Sequence, residues 1–328
     1  MRRRILHFAV LTLPFWSAES QTRPLIDYHQ HLFSPATVAL ISPNPPAASG
    51  TPITPISASD LVALLDAAGI RRALVLSVAY TWGSPNRSVE NEYEKVKADN
   101  DWTSQQVAQF PDRLRGFCGV NPLRDYAFAE LERCAKDPQL HYGLKLHFGN
   151  SVVDLHNAQH VEQLRRVFRF ANDHGMAIVV HMHPSISRGL PYGRDEARIF
   201  LNDVLPAAPD VVVQIAHLAG AGGYDDAGAD EAFGVLADAV ANHDPHARHL
   251  YFDVSSAVGL SLGIPVDKAN VMARRLRQIG LDRILFGSDA ATGGNLAPRE
   301  AWAAFRQLPL TDAEFVQIAN NVAPYMRW

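Results

Sequence analysis

The stretch AIVVHMHPS, residues 177–185, contains the pattern from which the fold of this chain can be predicted. Four apolar residues come before two histidines and a proline. A short, uninterrupted apolar run rich in Val and Ile is typical of a strand that is buried on both faces. Such strands belong to parallel sheets that are covered by helices on both sides. We therefore predict a buried parallel strand over residues 176–183.

The same pattern recurs along the chain. Apolar runs of similar length lie at 24–31, 71–79, 115–121, 141–147, 210–217, 249–255 and 283–289. Segments with helical periodicity separate them, such as SDLVALLDAAGI at 59–70, where we predict Ser59 as the N-cap and Gly69 as the C-cap. Strands that alternate with helices pair in parallel. Eight such units predict a (β/α)8 TIM barrel formed by a single domain, residues 21–328. A doubly wound open sheet is the alternative, but no glycine-rich phosphate turn follows an early strand.

The first twenty residues are predicted to be a signal peptide rather than part of the barrel. A basic segment, MRRR, comes before ILHFAVLTLPFW, an apolar stretch too short to cross a bilayer. The small residues of SAES then precede Gln21, so we expect cleavage near Ser20. A packed N-terminal arm is the alternative. The mature protein is expected to be exported, periplasmic or secreted, without association with a membrane.

The composition is that of a globular protein, with 47% apolar and 20% charged residues and a net charge of −4. No Lys/Arg run follows the first four residues, so binding of nucleic acid is not expected. The expected partner is a small-molecule substrate, and a homo-oligomer is left open. Export would permit disulfides. Cys118 and Cys134 could meet between a strand and the next helix, but we expect two buried free thiols.

Polar residues end several of the predicted strands, where active sites lie in (β/α)8 barrels. Six of the fourteen histidines are among them. The residues are His29, His31, Lys145, His147, His181, His183, His217 and Asp289. Because alternate residues of a strand point to one side, about 6.6 Å apart, His29 and His31 can bind one metal ion together. Asp27 lies two residues before His29 and should point to the same side of the strand, where its carboxylate is expected to accept hydrogen bonds from these rings. Taken alone, a His-x-His pair would more often belong to a solvated edge strand; the later strand ends favour the metal site.

Five motifs carry a resemblance to a known family: DYHQH (27–31), GLKLH (143–147), VVHMHP (179–184), IAHLAG (215–220) and LFGSDA (285–290). In order and strand position they resemble the amidohydrolase superfamily, most closely the amidohydrolase-2 branch of metal-dependent TIM-barrel hydrolases and decarboxylases. The resemblance spans nearly the whole predicted domain. It implies one divalent ion, Zn²⁺ in the first place and Mn²⁺ in the second. The implied metal ligands are His29, His31, His181 and Asp289.

Some assignments stay open. Lys145 could be the carboxylated lysine that bridges two metal ions in binuclear relatives. His183 has the same parity as His181 and could replace it as the ligand. The residues predicted to contact the substrate are Lys145, His147, His183, Arg188 and Tyr192.

The resemblance implies a metal-dependent hydrolase that cleaves an amide, lactone or ester of a small, carboxylated or aromatic substrate. A bound divalent ion would lower the pKa of a water molecule toward ~7. The implied catalytic residues are Asp289, which accepts the proton of that water, and His217, which polarises the carbonyl or protonates the leaving group. The alternative is a nonoxidative metal-dependent decarboxylase of an aromatic or unsaturated carboxylic acid. A barrel that binds a ligand without turnover is disfavoured, because it would not need the acid/base groups of Asp289 and His217.

Overall fold

Eight parallel strands form a barrel in a computed structural model, which describes residues 22–42, 53–185, 189–223, 226–258, 265–291 and 295–327. Each strand pairs in parallel with the next along the chain. The strands are β1 (Ile26–Gln30), β2 (Arg72–Leu76), β3 (Leu114–Gly119), β4 (Gly143–His147), β5 (Ala177–His181), β6 (Val213–Ile215), β7 (Leu250–Asp253) and β8 (Ile284–Leu285). Two backbone hydrogen bonds, from Tyr28 N–H to the Phe286 carbonyl and from Asp289 N–H to the His29 carbonyl, each 2.8 Å, join the last strand region to the first. The predicted (β/α)8 TIM barrel is confirmed.

Helices cover the outside of the barrel. They are α1 (Pro35–Ile41), α2 (Ala58–Ala68), α3 (Glu92–Val107), α4 (Ala127–Cys134), α5 (Phe148–Ser151), α6 (Ala158–Asp173), α7 (Arg194–Ile199), α8 (Ala227–Ala241), α9 (Val266–Ile279), α10 (Pro298–Phe305) and α11 (Asp312–Asn320). Within the described ranges, no helix combines the length and the apolar character that crossing a bilayer requires. The predicted signal peptide, residues 1–20, lies outside the described residues.

Helix α2 begins two residues earlier than its sequence suggested. Ser57, not Ser59, is the N-cap: its hydroxyl accepts a hydrogen bond from Asp60 N–H, and the Asp60 carboxylate accepts one from Ser57 N–H. This reciprocal pair satisfies two backbone N–H groups, whereas Ser59 would have Val62 at the matching position. Gly69 ends the helix at φ 70°, as predicted, because glycine adopts left-handed backbone without strain.

Alternation along the strands separates two apolar regions. In β5, Ala177 and Val179 pack inside the barrel, whereas Ile178 and Val180 pack in the layer between the strands and the helices. All four are buried, and complete burial of a Val or Ile side chain stabilises the fold by about 1.5–3 kcal/mol. His181 follows in the inward-facing series, so it lies at the mouth of the barrel interior.

A disulfide joins Cys118 to Cys134, so the expectation of two free thiols is wrong. Cys118 faces the helix layer from β3, and α4 brings Cys134 against it with a Cα–Cα distance of 6.1 Å, which suits a disulfide. This distance depends on how α4 packs on the barrel, which the spacing in the sequence does not show. For a sequence separation of 16 residues, the chain-entropy account attributes about 3 kcal/mol of stability to such a bond.

Candidate metal centre

Four of the strand-end histidines meet at the carboxyl end of the barrel. The ring centroid of His29 lies 5.2 Å from that of His31 and 4.6 Å from that of His217, and the His181 and His217 centroids are 4.9 Å apart. All four side chains are buried. Residues separated by almost two hundred positions are thus brought together, because the carboxyl ends of parallel strands share one edge of the barrel.

Asp289 completes this cluster from the segment after β8. Its Oδ1 lies 3.6 Å from His31 Nε2, and one donor atom from each of His29, His31 and Asp289 lies within 4.8 Å of the other two. Asp289 adopts a φ of 55°, a left-handed conformation that costs a non-glycine residue about 1–3 kcal/mol. The hydrogen bonds from its N–H to His29 O and from the Asn295 amide to its Oδ2 (3.0 Å) hold it there.

The rings of His29 and His31 are neutral and carry the lone pair on Nε2, as metal-binding histidines require. His29 Nδ1 lies 3.0 Å from a carboxylate oxygen of Asp253, and His31 Nδ1 lies 2.7 Å from the Leu76 carbonyl oxygen. These acceptors require a proton on each Nδ1, which leaves the lone pair on Nε2. Burial and the nearby charge of Lys145 lower the pKa of both rings to about 3. Both Nε2 atoms therefore offer lone pairs at neutral pH.

An unpartnered nitrogen at His181 is the observation that best tests whether a metal ion fits. His181 Nε2 is buried and has no hydrogen-bond partner. Burial, with smaller contributions from His147 and His217, lowers the pKa of His181 well below its usual value, so its ring is neutral. Polar atoms that are buried without a partner are costly and rare. Imidazole nitrogens and a carboxylate are a suitable donor set for a divalent transition metal, so the residues present fit such an ion.

Asp253, at the end of β7, supports the cluster and was not singled out in the sequence. Its Oδ2 accepts hydrogen bonds from His29 Nδ1–H and from the Gln214 amide at 2.6 Å, and its Oδ1 accepts from Ser255 Oγ–H and from His217 N–H. Burial alone would raise the pKa of Asp253, but the electrostatic interaction with His29 and the hydrogen bond from its Nδ1–H hold that pKa well below its usual range. An acidic residue that ends a buried strand, as in YFD at 251–253, is the signal that could have identified it.

Asp27 does not support the histidine rings, in contrast to the expectation. The register of β1 shifts between Asp27 and Gln30, so the alternation of side chains is broken between Asp27 and His29. The Asp27 carboxylate instead accepts hydrogen bonds from the Gln30 amide at 2.7 Å and from the Ser288 hydroxyl at 2.6 Å. It therefore ties the first strand to the segment that carries Asp289. Burial raises the pKa of Asp27 to about 6.

His217 lies on an unusual turn that directly follows β6. Three consecutive residues, His217, Leu218 and Ala219, have φ values of 54°, 50° and 65°. His217 Nδ1 lies 2.9 Å from the Ser255 carbonyl oxygen, which can only accept, so the proton is on Nδ1 and the lone pair is on Nε2. Nε2 is therefore the atom of His217 that can accept a proton. The strained turn is of the kind that clusters at functional sites.

Lys145 also reaches the cluster. Its Nζ lies 3.4 Å from His29 Nε2, and burial lowers its pKa to about 8. The carboxylates of Asp253 and Asp289 lie close enough to influence this ammonium group. Two carboxylates against one lysine leave an excess of negative charge, which a divalent cation would offset.

The other predicted contact residues lie in different surroundings. His147 stacks on His181, with ring centroids 4.0 Å apart and planes inclined by 13°. His183 instead pairs with Asp226, Nε2 to Oδ2 at 2.6 Å, and its ring contacts Tyr192. Tyr192 donates its hydroxyl proton to the Ala219 carbonyl, so it supports the turn after β6. Arg188 lies outside the described residues.

Apolar side chains border one side of the cluster. Phe33, Val78 and Tyr80 form a small buried group. The Phe33 ring centroid lies 6.2 Å from that of His31, and the Tyr80 centroid lies 5.2 Å from that of His147. A substrate that reaches the histidines from this side would meet aromatic surface.

Comparisons with known proteins agree with this description. A family model described as amidohydrolase matches residues 26–321. Among solved structures, 5-carboxyvanillate decarboxylase from Sphingomonas paucimobilis is similar, with a TM-score of 0.61 and 14% identity over 92% of this chain and 98% of that one. The structure of 2,6-dihydroxybenzoate decarboxylase from Rhizobium has a TM-score of 0.59 and 15% identity over 90% of this chain and 96% of that one. A third similar structure is a probable 2-pyrone-4,6-dicarboxylic acid hydrolase from Acinetobacter baumannii with citric acid bound. It has a TM-score of 0.55 and 20% identity over 90% of this chain and 96% of that one. At these identities the similarity shows the fold alone. No curated protein matches the sequence.

Proposed function

This chain belongs to the amidohydrolase family, and from that premise we propose that it is a metal-dependent hydrolase of a small-molecule amide, lactone or ester. The observation that carries the proposal is the grouping of donor atoms from His29, His31 and Asp289 within 4.8 Å. His181 is not part of that group, but its Nε2 is buried without a partner and its ring centroid lies 4.9 Å from that of His217. The three grouped residues and His181 would hold one divalent ion, most suitably Zn²⁺ given three nitrogen donors, with Mn²⁺ as the second choice. When bound, such an ion supplies Lewis-acid polarisation and lowers the pKa of water.

The side chains around the donor atoms provide for proton transfer. Asp289 is held by Asn295 with its Oδ1 toward the cluster, where it can accept a proton from water. With its proton on Nδ1, His217 offers a lone pair at Nε2, and once protonated there it can pass that proton to the leaving group. A carboxylate and an imidazole at one site provide the acid and the base that hydrolysis of a carbonyl compound requires.

The second candidate function is nonoxidative decarboxylation of an aromatic carboxylic acid. The aromatic side chains of Phe33 and Tyr80 next to the cluster favour it, because they could hold a flat ring beside the metal site. Two of the similar structures are decarboxylases of aromatic acids. In that reaction His217 or Asp289 would deliver a proton to carbon rather than to a leaving group.

The products of turnover distinguish the two reactions. We expect that turnover in ¹⁸O-labelled water places the label in a product carboxylate, without release of CO₂ and without deuterium on carbon in D₂O. Hydrolysis adds the elements of water, whereas decarboxylation exchanges a carboxylate for a solvent proton. A panel of lactones, esters, amides and carboxylated aromatic rings, analysed by mass spectrometry, provides the test. Release of CO₂ in step with loss of a carboxylated ring would make the chain a decarboxylase.

We also propose that the protein is exported. The disulfide between Cys118 and Cys134 supports this, because such bonds persist mainly in oxidising compartments. Expressed in a bacterial host, the mature chain should begin at Gln21 and gain two hydrogens when it is reduced under denaturing conditions. Intact-mass measurement before and after reduction checks both points. A chain that retains Met1, or whose mass is unchanged by reduction, would contradict the proposal.

A further inference from the structure

His147 differs from its neighbours in the nitrogen that carries its proton. Its Nδ1 lies 3.2 Å from the backbone N–H of Asn150, and this N–H can only donate. The lone pair of His147 is therefore on Nδ1, and the proton of the neutral ring is on Nε2. His29, His31 and His217 have the opposite arrangement, with the proton on Nδ1. The cluster thus contains one ring that donates from Nε2 among rings that accept there.

The local backbone fixes this proton position. His147 ends β4 and is at the same time the N-cap of α5, with extended φ and ψ of −130° and 97°. A ring protonated on both nitrogens could not accept the hydrogen bond from Asn150.

The Nε2–H group is available to a ligand. The ring packs against the nearly parallel ring of His181, with centroids 4.0 Å apart, and against the tilted ring of Tyr80, with centroids 5.2 Å apart. In the part of the chain that the structure describes, Nε2 has no hydrogen-bond partner, and it is not among the fully buried unpartnered atoms. The ring is stacked on a proposed metal ligand, so a substrate bound at that metal would lie within its reach.

We propose that His147 is the residue that donates a hydrogen bond to the substrate oxygen on which negative charge develops, the carbonyl oxygen in a hydrolysis. The inference rests on the proposed function and divides two roles that the sequence had assigned to His217 alone. Because its proton is on Nδ1, His217 presents a lone pair rather than an N–H at Nε2, so it handles the proton, whereas His147 binds the oxygen. The substrate must therefore present a carbonyl or carboxylate oxygen to β4. Loss of one such donor typically lowers the rate by about 10²–10³.

Two substitutions of His147 distinguish its function as a hydrogen-bond donor at Nε2 from its function as the N-cap of α5. His147→Asn keeps an acceptor that can cap α5 but has no donor at the position of Nε2. His147→Gln places an amide N–H near that position but gives a poorer cap. His174→Asn is the matched control, because His174 is an exposed histidine that also stacks on a ring, that of Phe170, and lies outside the cluster.

The probe is benzoate, titrated by calorimetry into the zinc-saturated protein. We expect the Kd for benzoate to rise about tenfold or more in His147→Asn, in line with the loss of a hydrogen bond to a charged group. His147→Gln should stay within a few-fold of the wild type, as should His174→Asn, and zinc content should be the same in all four proteins. If the Kd for benzoate rises in His147→Gln, the poorer helix cap, and not in His147→Asn, the proposal is wrong. It is also wrong if benzoate does not bind the wild type.

Nuclear magnetic resonance of ¹⁵N-histidine-labelled, zinc-saturated protein provides an independent test. The signals of His147, assigned by their loss in His147→Gln, should show a protonated Nε2 and an unprotonated Nδ1. Adding benzoate should shift the Nε2–H proton. The opposite tautomer would overturn the inference. Neither measurement depends on turnover, so both remain decisive if the product test shows that the reaction is not a hydrolysis.

Discussion

Replacing His29 with alanine should remove the bound metal ion and lower the rate by on the order of 10³ or more. The protein as purified should contain about one divalent ion per chain, and the variant should retain little of it. His29 Nε2 is one of four expected donors, and its ring is fixed by Asp253, so its loss leaves three donors and a weakly held ion. An ion that contributes several kcal/mol to the transition state is worth several powers of ten in rate.

Elemental analysis of purified variants, alongside kinetics, provides the measurement. His181→Ala should lose the ion as well. His183→Ala is the matched control from the segment that follows β5; it should keep the ion, because His183 is paired with Asp226. Full metal content in His29→Ala would contradict the site. Loss of the ion in His183→Ala would exchange the roles of the two histidines. A reproducible two ions per chain would assign Lys145 as a bridging ligand.

Replacing His217 with asparagine should keep the ion and lower the rate by about 10²–10⁴, the usual contribution of a general acid or base. Asparagine can still donate a hydrogen bond to the Ser255 carbonyl, so the turn after β6 should survive. It has no basic nitrogen at the position of Nε2, and proton transfer is therefore lost.

The variant is compared with the wild type at equal metal content, over a range of pH. We expect the rate to be lower at every pH tested while the affinity for the ion is unchanged. A parallel loss of metal and activity would mean that His217 is a ligand. An unchanged rate would mean that another group, with Asp289 as the first candidate, transfers the proton.

Most of the fold could be predicted from the sequence, because burial on both faces leaves a local pattern. The predicted strand at 176–183 is observed as Ala177–His181, and that at 210–217 as Val213–Ile215. The strands are shorter than predicted because buried apolar residues continue beyond the residues assigned to each strand, as at Val211 and Val212 before β6. The N-cap of α2 was misplaced because two serines in one short segment compete for the same role.

The candidate ligands were also visible in the sequence. His29, His31, His181, His217 and Asp289 follow apolar runs, and a barrel of parallel strands brings all such positions to one end. Strand order and the position of a residue at a strand end are local properties. They can therefore be read along the chain without knowledge of any distance.

The tertiary structure alone shows which partner each of these side chains has. Because the register shifts in β1, Asp27 does not face the histidine rings, although its alternation with His29 predicted that it would. Asp253, 224 positions away in the sequence, accepts the hydrogen bond from His29 instead. The disulfide between Cys118 and Cys134 and the proton on Nε2 of His147 are decided in the same way. A hydrogen bond or a disulfide forms only when two atoms come within a narrow range of distance and direction. That range is set by the packing of strands and helices, whereas the apolar pattern records only whether a residue is buried.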